Sequence, residues 1–521
     1  MKPSSHKVLL SLRKLRFSKL VLPGLTLTLL GLVPFKSDLL GQAISPQTSI
    51  KTSNSDSSND QSIGFSQSEP YKCVGDSYVF VAPDGKDNAT GTKADPFKSV
   101  STAAESLQGQ GGVVYLREGT YWLESVSKTS DNDWETKGAS ILLKQGGTPD
   151  NYLQICNFPG ETPLLDGSNL PENVHAIQVH YADNIRIAGL EIANGNGRGI
   201  VSLASKNVEI INNRVRDNWL NGITVRGSMG NQPKVNRARN SIIRDNVVVN
   251  NFLRNSGANT GQGLHGQGIQ ARNAENITIA NNYIEHNYGE GLGCVSVNRC
   301  LVNNNSIINN YSVNLYLDNA NSSQFQNNFI AATGLPEMRW HDKRDTNNIQ
   351  IANENYKNLG HTPEFYTNHL TLQNNLIVGG NMGISYQVYS GAHDQSQAKF
   401  RGLQNTLIER NTFHQNTTAI FFREDSNSQN NIFRKNIISN PQGTAVSKNN
   451  SIAAIQFEQN LWHKADPGNT ANDSDIYADP KYVNSAIKSP SDYQFQKTSL
   501  ATKLGIGACH SDRDCQIKTT R

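Results

Sequence analysis

The sequence predicts an all-β fold, a right-handed parallel β-helix (solenoid) of roughly ten coils with a short N-terminal capping helix. Three observations predict it. An asparagine returns at the same place in short apolar segments, these segments alternate apolar and polar residues over three to five positions, and insertions fall on one side of the repeat. Alternation this short suits strands rather than helices. A repeat near two dozen residues predicts a solenoid, because one such unit cannot bury its own apolar face.

The asparagine anchors give the length of the repeat. Segments 277–284, 300–307 and 323–330 align without a gap and place their anchors 23 residues apart. The anchors are Asn213, Asn246, Asn282, Asn305, Asn328, Asn375, Asn411, Asn436 and Asn460. Their steps are 33, 36, 23, 23, 47, 36, 25 and 24 residues, so the minimum is near 23 and the excesses are only upward. A coil that tolerates insertions gives this pattern.

The anchors themselves are interpreted as structural. Asparagine adopts left-handed backbone angles at low cost, which suits a tight turn between two short strands. Stacked coils bring the anchors into register, where their amides can form a hydrogen-bonded ladder. Asparagine-rich sequence can also be disordered. Here the asparagines keep a fixed phase with Ile, Val, Leu and Phe, which disorder does not require.

Residues 1–43 are interpreted as a signal peptide. Basic residues precede an apolar run from Leu20 to Val33, and Gly41 to Ala43 supplies the small residues that a signal peptidase reads. The apolar run is short for a membrane span. A buried strand or an uncleaved anchor is the alternative.

Three further segments follow the signal peptide. Residues 44–70 are dominated by Ser, Thr, Asn and Gln, which predicts a flexible linker. We expect the β-helix domain to occupy residues 71–510 and a C-terminal tail to occupy residues 511–521. The expected location is secreted, periplasmic or at the cell surface, with no membrane association after signal removal, and a monomer is expected.

The net charge argues against a nucleic-acid partner. The whole chain carries +4, but residues 1–43 contain seven Lys or Arg and one Asp, a net of +6. Residues 44–521 therefore carry a net charge close to −2, and the excess of basic residues lies in the predicted signal peptide. A basic patch of the kind that binds nucleic acid is not indicated.

Six cysteines permit disulfides in an exported protein. Cys509 and Cys515 are the most plausible pair, since they would close a short polar loop. Cys294 is expected to point inward as a small core residue. No Cys or His spacing resembles a zinc site.

Several segments resemble secreted right-handed β-helix proteins of the pectate lyase-like superfamily. Residues 78–85 and 91–100 resemble the entry of such domains, where a strand is followed by a short helix, here about Ser99 to Leu107, that caps the solenoid. Residues 112–121 resemble the first coil, and residues 479–483 and 492–495 resemble the closing segment. The resemblance spans about residues 78 to 509.

This resemblance implies a protein that acts on an extended polysaccharide, often an acidic one. The superfamily includes lyases, hydrolases, epimerases and non-catalytic proteins, so the likeness specifies fold better than reaction. Three patterns known in the superfamily are absent: the clustered acidic calcium ligands of pectate lyases, the Asp-Pro-His signature of alginate epimerases, and the aspartate trio of galacturonan hydrolases. No cofactor or metal ligand is assigned, and a requirement for Ca²⁺ stays open.

One strand of the repeat predicts the position of a site. Its copies are segments 222–226, 268–272, 291–295, 314–318 and 348–352. Alternation with a period of two sends inward Ile223, Ile269, Leu292, Leu315 and Ile349. It sends outward Thr224, Gln270, Gly293, Tyr316 and Gln350, followed by Arg226, Arg272, Val295, Asp318 and Ala352. Gly291 and Gly293 are expected to leave the middle of this face open.

Insertions flank this strand on both sides. They occur around residues 227–239, 251–266, 332–347, 353–368 and 389–403, and none falls at the tight asparagine turn. Loops on both sides of a flat face make a groove, which is where recognition residues gather.

The groove residues predict a lyase acting by β-elimination on a uronic acid-containing glycan. That chemistry needs a cation against the carboxylate, a base and an acid. The catalytic candidates are Arg226 and Arg272 as a bidentate cationic clamp, Tyr316 and His265 as proton-transfer groups, and Asp318 and Glu354 to orient or tune them. The substrate-binding candidates are Thr224, Gln270, Gln350 and Arg423.

Other interpretations stay open at this point. Each arginine could form a surface salt bridge, Tyr316 could stack between coils, and Glu354 could anchor a loop. A glycoside hydrolase with an Asp318 and Glu354 pair is one alternative function. A non-catalytic glycan-binding surface or adhesion protein is another.

Overall fold

Stacked parallel strands form a solenoid in the computed structural model of the chain. The structure describes residues 71–124, 126–128, 137–228, 236–256, 265–335, 345–354, 366–387, 402–423, 427–447, 454–484 and 489–508. The predicted signal peptide, linker and C-terminal tail lie outside these residues. Among the residues described, no helix has both the length and the apolar character needed to cross a membrane.

The strands are short and follow one another closely. In chain order they begin with β1 (Tyr78–Val81), β2 (Gly112–Leu116), β3 (Thr120–Trp122), β4 (Gly138–Leu143), β5 (Leu153–Asn157), β6 (Leu164–Asp166), β7 (Val174–His180), β8 (Ile185–Ala188), β9 (Glu191–Ala193), β10 (Ile200–Leu203), β11 (Val208–Ile211), β12 (Arg214–Arg216), β13 (Ile223–Arg226), β14 (Ala238–Arg244), β15 (Val247–Val249), β16 (Gln267–Ala280), β17 (Tyr283–Glu285) and β18 (Glu290–Asn303). They continue with β19 (Ser306–Ile308), β20 (Val313–Asn321), β21 (Gln324–Gln326), β22 (Phe329–Ala332), β23 (Asn347–Ala352), β24 (Thr371–Gln373), β25 (Leu376–Gly379), β26 (Met382–Gln387), β27 (Leu407–Glu409), β28 (Thr412–His414), β29 (Thr418–Phe422), β30 (Asn431–Arg434), β31 (Ile437–Ser439), β32 (Thr444–Val446), β33 (Ile455–Glu458), β34 (Leu461–His463) and β35 (Ile476–Tyr477).

The strands form three faces. The groove face stacks β4, β7, β10, β13, β16, β18, β20, β23, β26, β29 and β32, and the second face runs from β1 and β2 to β33. These two faces belong to one sheet, because β16 and β18 run through both. The third face is a separate sheet that contains thirteen strands in the described part of the chain, from β3 to β35.

The asparagine ladder forms as predicted, at the bend between the second and third faces. Each anchor amide donates from Nδ2 to Oδ1 of the next anchor, for example Asn282 to Asn305 at 3.0 Å and Asn305 to Asn328 at 3.0 Å. The residue before each anchor takes the left-handed conformation, as Asn281 does with φ 56° and Asn304 with φ 56°. The anchors precede the nine strands from β12 to β34, and the coils before Asn213 turn without one. The prediction of roughly ten coils relied on these anchors and therefore missed the first coils. The third face has thirteen strands in the described residues.

A second ladder lies at the bend between the third face and the groove face. Asn218 donates to Asn251 at 2.9 Å, Asn251 to Asn287 at 3.1 Å, and Asn287 to Asn310 at 3.0 Å. Each of these residues stands five positions after a first-ladder anchor, so the signal was present in the sequence. The ladder continues through Asn314 and Asn348. It fixes the chain at the entry to every strand in the middle of the groove face.

The core and the N-terminal end agree with the predicted solenoid. The five inward residues of the groove strands, from Ile223 to Ile349, are fully buried. The capping helix α1 (Val100–Ser106) begins after the N-cap Ser99, whose side chain accepts from the N–H of Thr102, and it buries apolar residues against the first coils. The C-terminal segment contains a 3-10 helix (Pro490–Tyr493) and α2 (Leu500–Leu504). It packs on the outer side of the third face, where Tyr493 clusters with Phe329 and Leu376 and Ala501 clusters with Ile437 and Leu461. Short 3-10 helices also span Leu253–Asn255 and Gly468–Thr470.

One disulfide forms within the described part of the chain. Cys73 and Cys156 form a disulfide that ties the segment before β1 to β5. Cys294 is buried as predicted and lies 2.8 Å from Cys300, sulfur to sulfur. Cys509 and Cys515, the pair proposed from the sequence, lie outside the described residues.

We expect Asn305→Ala to lower the stability of the solenoid strongly. The Asn305 amide accepts from the N–H and Nδ2 of Asn282 and donates to Ile279 O and Asn328 Oδ1, all in the interior. Leaving such buried groups without partners costs roughly 2–5 kcal/mol in total. Thermal unfolding followed by circular dichroism measures the loss. The control is Asn169→Ala, which removes an exposed amide, and an equal Tm for the two variants would contradict the structural role of the ladder.

Candidate active site

The groove face carries the predicted columns of outward residues. Parallel pairing aligns Thr224 with Gln270, Gln270 with Gly293, Gly293 with Tyr316, and Tyr316 with Gln350. The second column aligns in the same way, from Arg226 and Arg272 through Val295 and Asp318 to Ala352. The side-chain phase deduced from the sequence is therefore correct.

A cavity of about 620 Å³ lies over the middle of this face. It brings together seven of the ten candidate residues, which are His265, Gln270, Arg272, Tyr316, Gln350, Glu354 and Arg423. A second cavity of about 370 Å³ shares His265, Gln270 and Arg272 with the first and extends toward the N-terminal coils. The two form one continuous groove. The predicted insertions leave from the ends of the groove strands, as expected, although most of their residues lie outside the described part of the chain.

Three candidates do not line the groove. Thr224 and Asp318 are fully buried, and Arg226 is only 4 % exposed. Thr224 points outward but is short, and its column neighbours are Val201 and the longer Gln270. The outward direction that the alternation predicts is correct for these side chains. The assumption that a ligand in the groove could reach them is wrong. Packing on the outer face, which alternation does not describe, covers them.

Tyr316, Glu354 and Asp318 form a connected polar group. The Tyr316 hydroxyl donates to Glu354 Oε1 at 2.6 Å, and the Glu354 N–H donates to Asp318 Oδ1 at 2.8 Å. Asn319 donates from Nδ2 to the same Asp318 oxygen at 3.0 Å. Asp318 thus fastens the start of the chain beyond β23 and positions Glu354. The expectation that Asp318 acts through other groups fits this geometry.

Tyr316 also supplies an apolar floor. Its ring packs with Val295, Val313 and Ala352 on the outer side of the sheet. Gly293, beside this floor, makes room for the Gln267 side chain, since a Cβ there would come within 2.9 Å of it. A sugar ring can lay its apolar C–H face on such a surface while its hydroxyl groups meet the polar rim.

Gly291 does not open the face as the sequence suggested. A Cβ at this position would come within 2.5 Å of Asn310 Nδ2 and within 2.7 Å of the Ile307 side chain. Its lack of a side chain therefore makes room for the second asparagine ladder rather than for a ligand.

Glu290 is a candidate that the sequence reasoning missed. It lies at the start of β18, is 3 % exposed and lines the central cavity. Burial raises its pKa to about 8, and the charges of Glu354 and Asp318 add to the rise, while a hydrogen bond from Gln267 Nε2 at 2.5 Å and the charge of Arg272 oppose it. The carboxyl group is therefore protonated at neutral pH. A glutamate just before the glycine pair of the middle strand was the available signal.

His265 stands beside this carboxyl group. Its Nδ1 lies 3.9 Å from Glu290 Oε1, and 59 % of its side chain is exposed. The groove walls desolvate the ring and lower its pKa, and the charge of Glu354 acts in the opposite direction. The imidazole is therefore mostly neutral near pH 7 and can accept a proton. A base and an acid occupy the same cavity.

The described side chains of the groove do not form a calcium-binding cluster. Within the described residues, no set of three or more His, Cys, Asp or Glu side chains is placed to hold a metal ion. Glu290 is protonated, and one Asp318 oxygen already accepts two hydrogen bonds. Calcium prefers a shell of six or more oxygen ligands with several ionised carboxylates. We derive no step through a calcium ion.

Two family models match the chain. A model of Pel9A-like right-handed β-helix regions matches residues 79–260, and a model of right-handed β-helix regions matches residues 250–394. Together they span the first coils and most of the groove. They agree with the wound parallel strands seen in the structure.

Individual known proteins are also similar to this chain, at low sequence identity. The Bacillus subtilis (strain 168) protein named Uncharacterized protein YwoF is 25 % identical over 405 residues, which cover 69 % of this chain and 74 % of that protein. Pectate lyase PEL9 of Emericella nidulans is 25 % identical over 165 residues, or 29 % of this chain and 36 % of that enzyme. A solved rhamnogalacturonan lyase is 12 % identical with a TM-score of 0.51, covering 83 % of this chain and all of its own. At this identity the structural likeness shows the fold.

Glu290 should make stability depend on pH. Because its pKa rises from about 4.5 in the unfolded chain to about 8 in the native state, its contribution is complete below pH 4.5 and is lost as the pH rises toward 8. As the pH rises from 5 to 9, we expect the Tm of Glu290→Gln to increase relative to the Tm of the wild type. Thermal unfolding at a series of pH values measures this difference. Parallel Tm curves for the two proteins would show that Glu290 ionises normally.

Proposed function

Because the chain is a right-handed parallel β-helix protein of the pectate lyase-like superfamily, we propose that it is a polysaccharide lyase that cleaves a uronic acid-containing glycan by β-elimination. One observation carries the proposal. The central cavity joins a neutral histidine, a protonated glutamate and two arginines on an apolar floor. These are the groups that β-elimination requires.

Arg272 and Arg423 supply the positive charge. Both line the central cavity, and Arg272 projects from β16, where its neighbour in β18 is Val295. A guanidinium group binds a carboxylate with two parallel hydrogen bonds. Neutralising the uronate carboxylate acidifies the proton on the adjacent carbon and stabilises the negative charge that develops when this proton leaves.

His265 and Glu290 move the protons. The neutral imidazole takes the proton from C5 of the uronic acid, the C5–H electron pair forms the C4–C5 double bond, and the C4–O bond breaks. Glu290 donates its proton to the departing oxygen. The protonated His265 and ionised Glu290 that remain are 3.9 Å apart, so one proton transfer, directly or through water, restores the starting state.

Burial changes the pKa of both His265 and Glu290 most, and Glu354 adds a smaller contribution. The charge of Glu354 raises the pKa of both Glu290 and His265. The Tyr316 hydroxyl holds that carboxylate in place at 2.6 Å. Gln270 and Gln350 lie on either side of Gly293 and Tyr316 in the same column, where their amides can bind sugar hydroxyl groups.

A hydrolase is the second candidate, favoured by one observation. Most glycosidases use two carboxyl groups, one of them protonated, and Glu290 and Glu354 both line the central cavity. Asp318, the partner suggested from the sequence, is fully buried and already binds the Glu354 N–H. A lyase releases unsaturated, ultraviolet-absorbing ends, whereas a hydrolase releases only saturated reducing ends.

We expect Arg272→Ala to reduce kcat/KM by at least roughly 1000-fold on the preferred acidic glycan, because both the clamp and its charge are lost. Arg272→Lys should recover part of the activity, since it keeps the charge but not the paired geometry. The control is Arg239→Ala, an exposed residue paired with Glu275 outside the groove. The assay follows unsaturated products from pectate, alginate and glycosaminoglycans. Unchanged turnover by Arg272→Ala would remove the cationic clamp, and binding without any product would support an adhesion protein.

The dependence of kcat/KM on pH should be bell-shaped. The ascending limb reports deprotonation of His265 below pH 6.5, and the descending limb reports loss of the Glu290 proton near pH 8. Glu290→Gln should lower kcat by at least roughly 100-fold and remove the descending limb. A profile of Glu290→Gln that keeps the wild-type descending limb would assign the acid role to another group.

A further inference from the structure

Two cysteines face each other in the interior of the solenoid. Cys294 and Cys300 both lie in β18, six positions apart, and their Sγ atoms are 2.8 Å from each other. Both side chains belong to the main apolar core, with 0 % and 1 % of their surface exposed. Neither lines the central cavity or takes part in the proposed reaction.

A bend in β18 brings the two sulfur atoms together. The strand leaves the groove face after Val295 and continues into the second face near Cys300. Within the bend, Ser296 and Arg299 take the left-handed conformation, with φ 53° and φ 57°. Inward side chains on the two arms of such a bend converge, because both point into the solenoid.

The preceding coil shows what these two positions normally hold. Backbone pairing aligns Cys294 with Ala271 and Cys300 with Ile277. One small and one large apolar side chain therefore fill the corner in that coil. In β18 two thiols of equal size occupy it.

The sulfur atoms are crowded if both keep their hydrogens. An O–H···O hydrogen bond already spans about 2.7–2.8 Å, and sulfur is a larger atom than oxygen. A disulfide bond holds its sulfurs about 2.05 Å apart. An approach of about 0.8 Å would therefore convert this contact into a bond.

The chain already contains one disulfide, between Cys73 and Cys156. Disulfides form and persist in oxidising compartments. Exchange requires a thiolate, and burial, with a smaller effect of Cys300, raises the pKa of the Cys294 thiol well above its usual value. The thiolate is therefore available only before the coils have stacked, so oxidation of this pair belongs to the folding of the chain.

We propose that Cys294 and Cys300 are joined by a disulfide that forms while the solenoid folds and is then sealed in its interior. The oxidant is a disulfide-bearing compound or exchange protein. Two thiols lose their hydrogens and two electrons, one S–S bond forms between the cysteines, and the disulfide of the oxidant becomes two thiols. The link spans the bend of β18 and holds the arm that begins with Glu290 at a fixed angle to the second face. It forms whether or not the protein is a lyase.

Peptide mapping without reduction tests the link on the full chain exported into an oxidising compartment. The protein is unfolded in iodoacetamide, which labels free thiols, and is then digested with trypsin. Cleavage after Arg272, Arg299 and Arg339 places the two cysteines in separate peptides, 273–299 and 300–339. We expect these peptides to stay joined and unlabelled, with a mass two hydrogens below their sum. Reduction before labelling should separate them and label each once.

Cys294→Ala is the matched variant, because the preceding coil has Ala271 at this place. It should leave Cys300 labelled and the bond between Cys73 and Cys156 intact. A reductant added to the native wild type should leave the link in place, because the stacked coils bury it. The same reductant in urea should release it.

Three results overturn the proposal. The first is an iodoacetamide label on both Cys294 and Cys300 in the exported protein. The second is a bond from either of them to a different cysteine. The third is release of the link by the reductant while circular dichroism still shows the native solenoid.

Discussion

The hydrogen bonds between neighbouring coils are the constraint on which the rest of this molecule depends. No coil completes its own backbone pairing, so each must stack on the next in one register. The buried amides at the two bends, such as Asn282 on Asn305 and Asn251 on Asn287, fix where the chain turns. A slip by one residue would send every inward isoleucine to the surface. The alignment of Tyr316 beneath Gln350, and with it the floor of the groove, follows from this register.

Local repetition explains why the fold could be predicted so fully. The anchor spacing and the period of two are both visible within single segments, so the stacking order and side-chain directions follow from the sequence. Features that depend on one distant pair could not be predicted. Cys73 and Cys156 are separated by 83 residues and belong to no repeat. The first coils turn without the anchor asparagine and carry no marker of their number.

The position of the candidate site could be predicted from the sequence, but only some of its residues could. Alternation gives the direction of a side chain, whereas exposure depends on what packs over it, which is why Asp318 is buried and Gln350 reaches the groove. The proton affinity of Glu290 arises from desolvation and from the charges of Glu354 and Asp318, which come from two later coils. These contributions exist only once the coils are stacked. The sequence therefore indicated Arg272, Tyr316 and Gln350 as groove residues, and the structure added Glu290.

The two fourteen-residue strands β16 and β18 have a mechanical consequence. In most other described coils the two faces are formed by separate strands, but here continuous backbone pairing joins them beneath the central cavity. This braced section should resist bending and twisting more than the coils around it. Recognition loops above it can then change length or composition across related proteins while the platform keeps its shape. Changes in what the groove binds would then fall on its rims, and the strands beneath would keep their geometry.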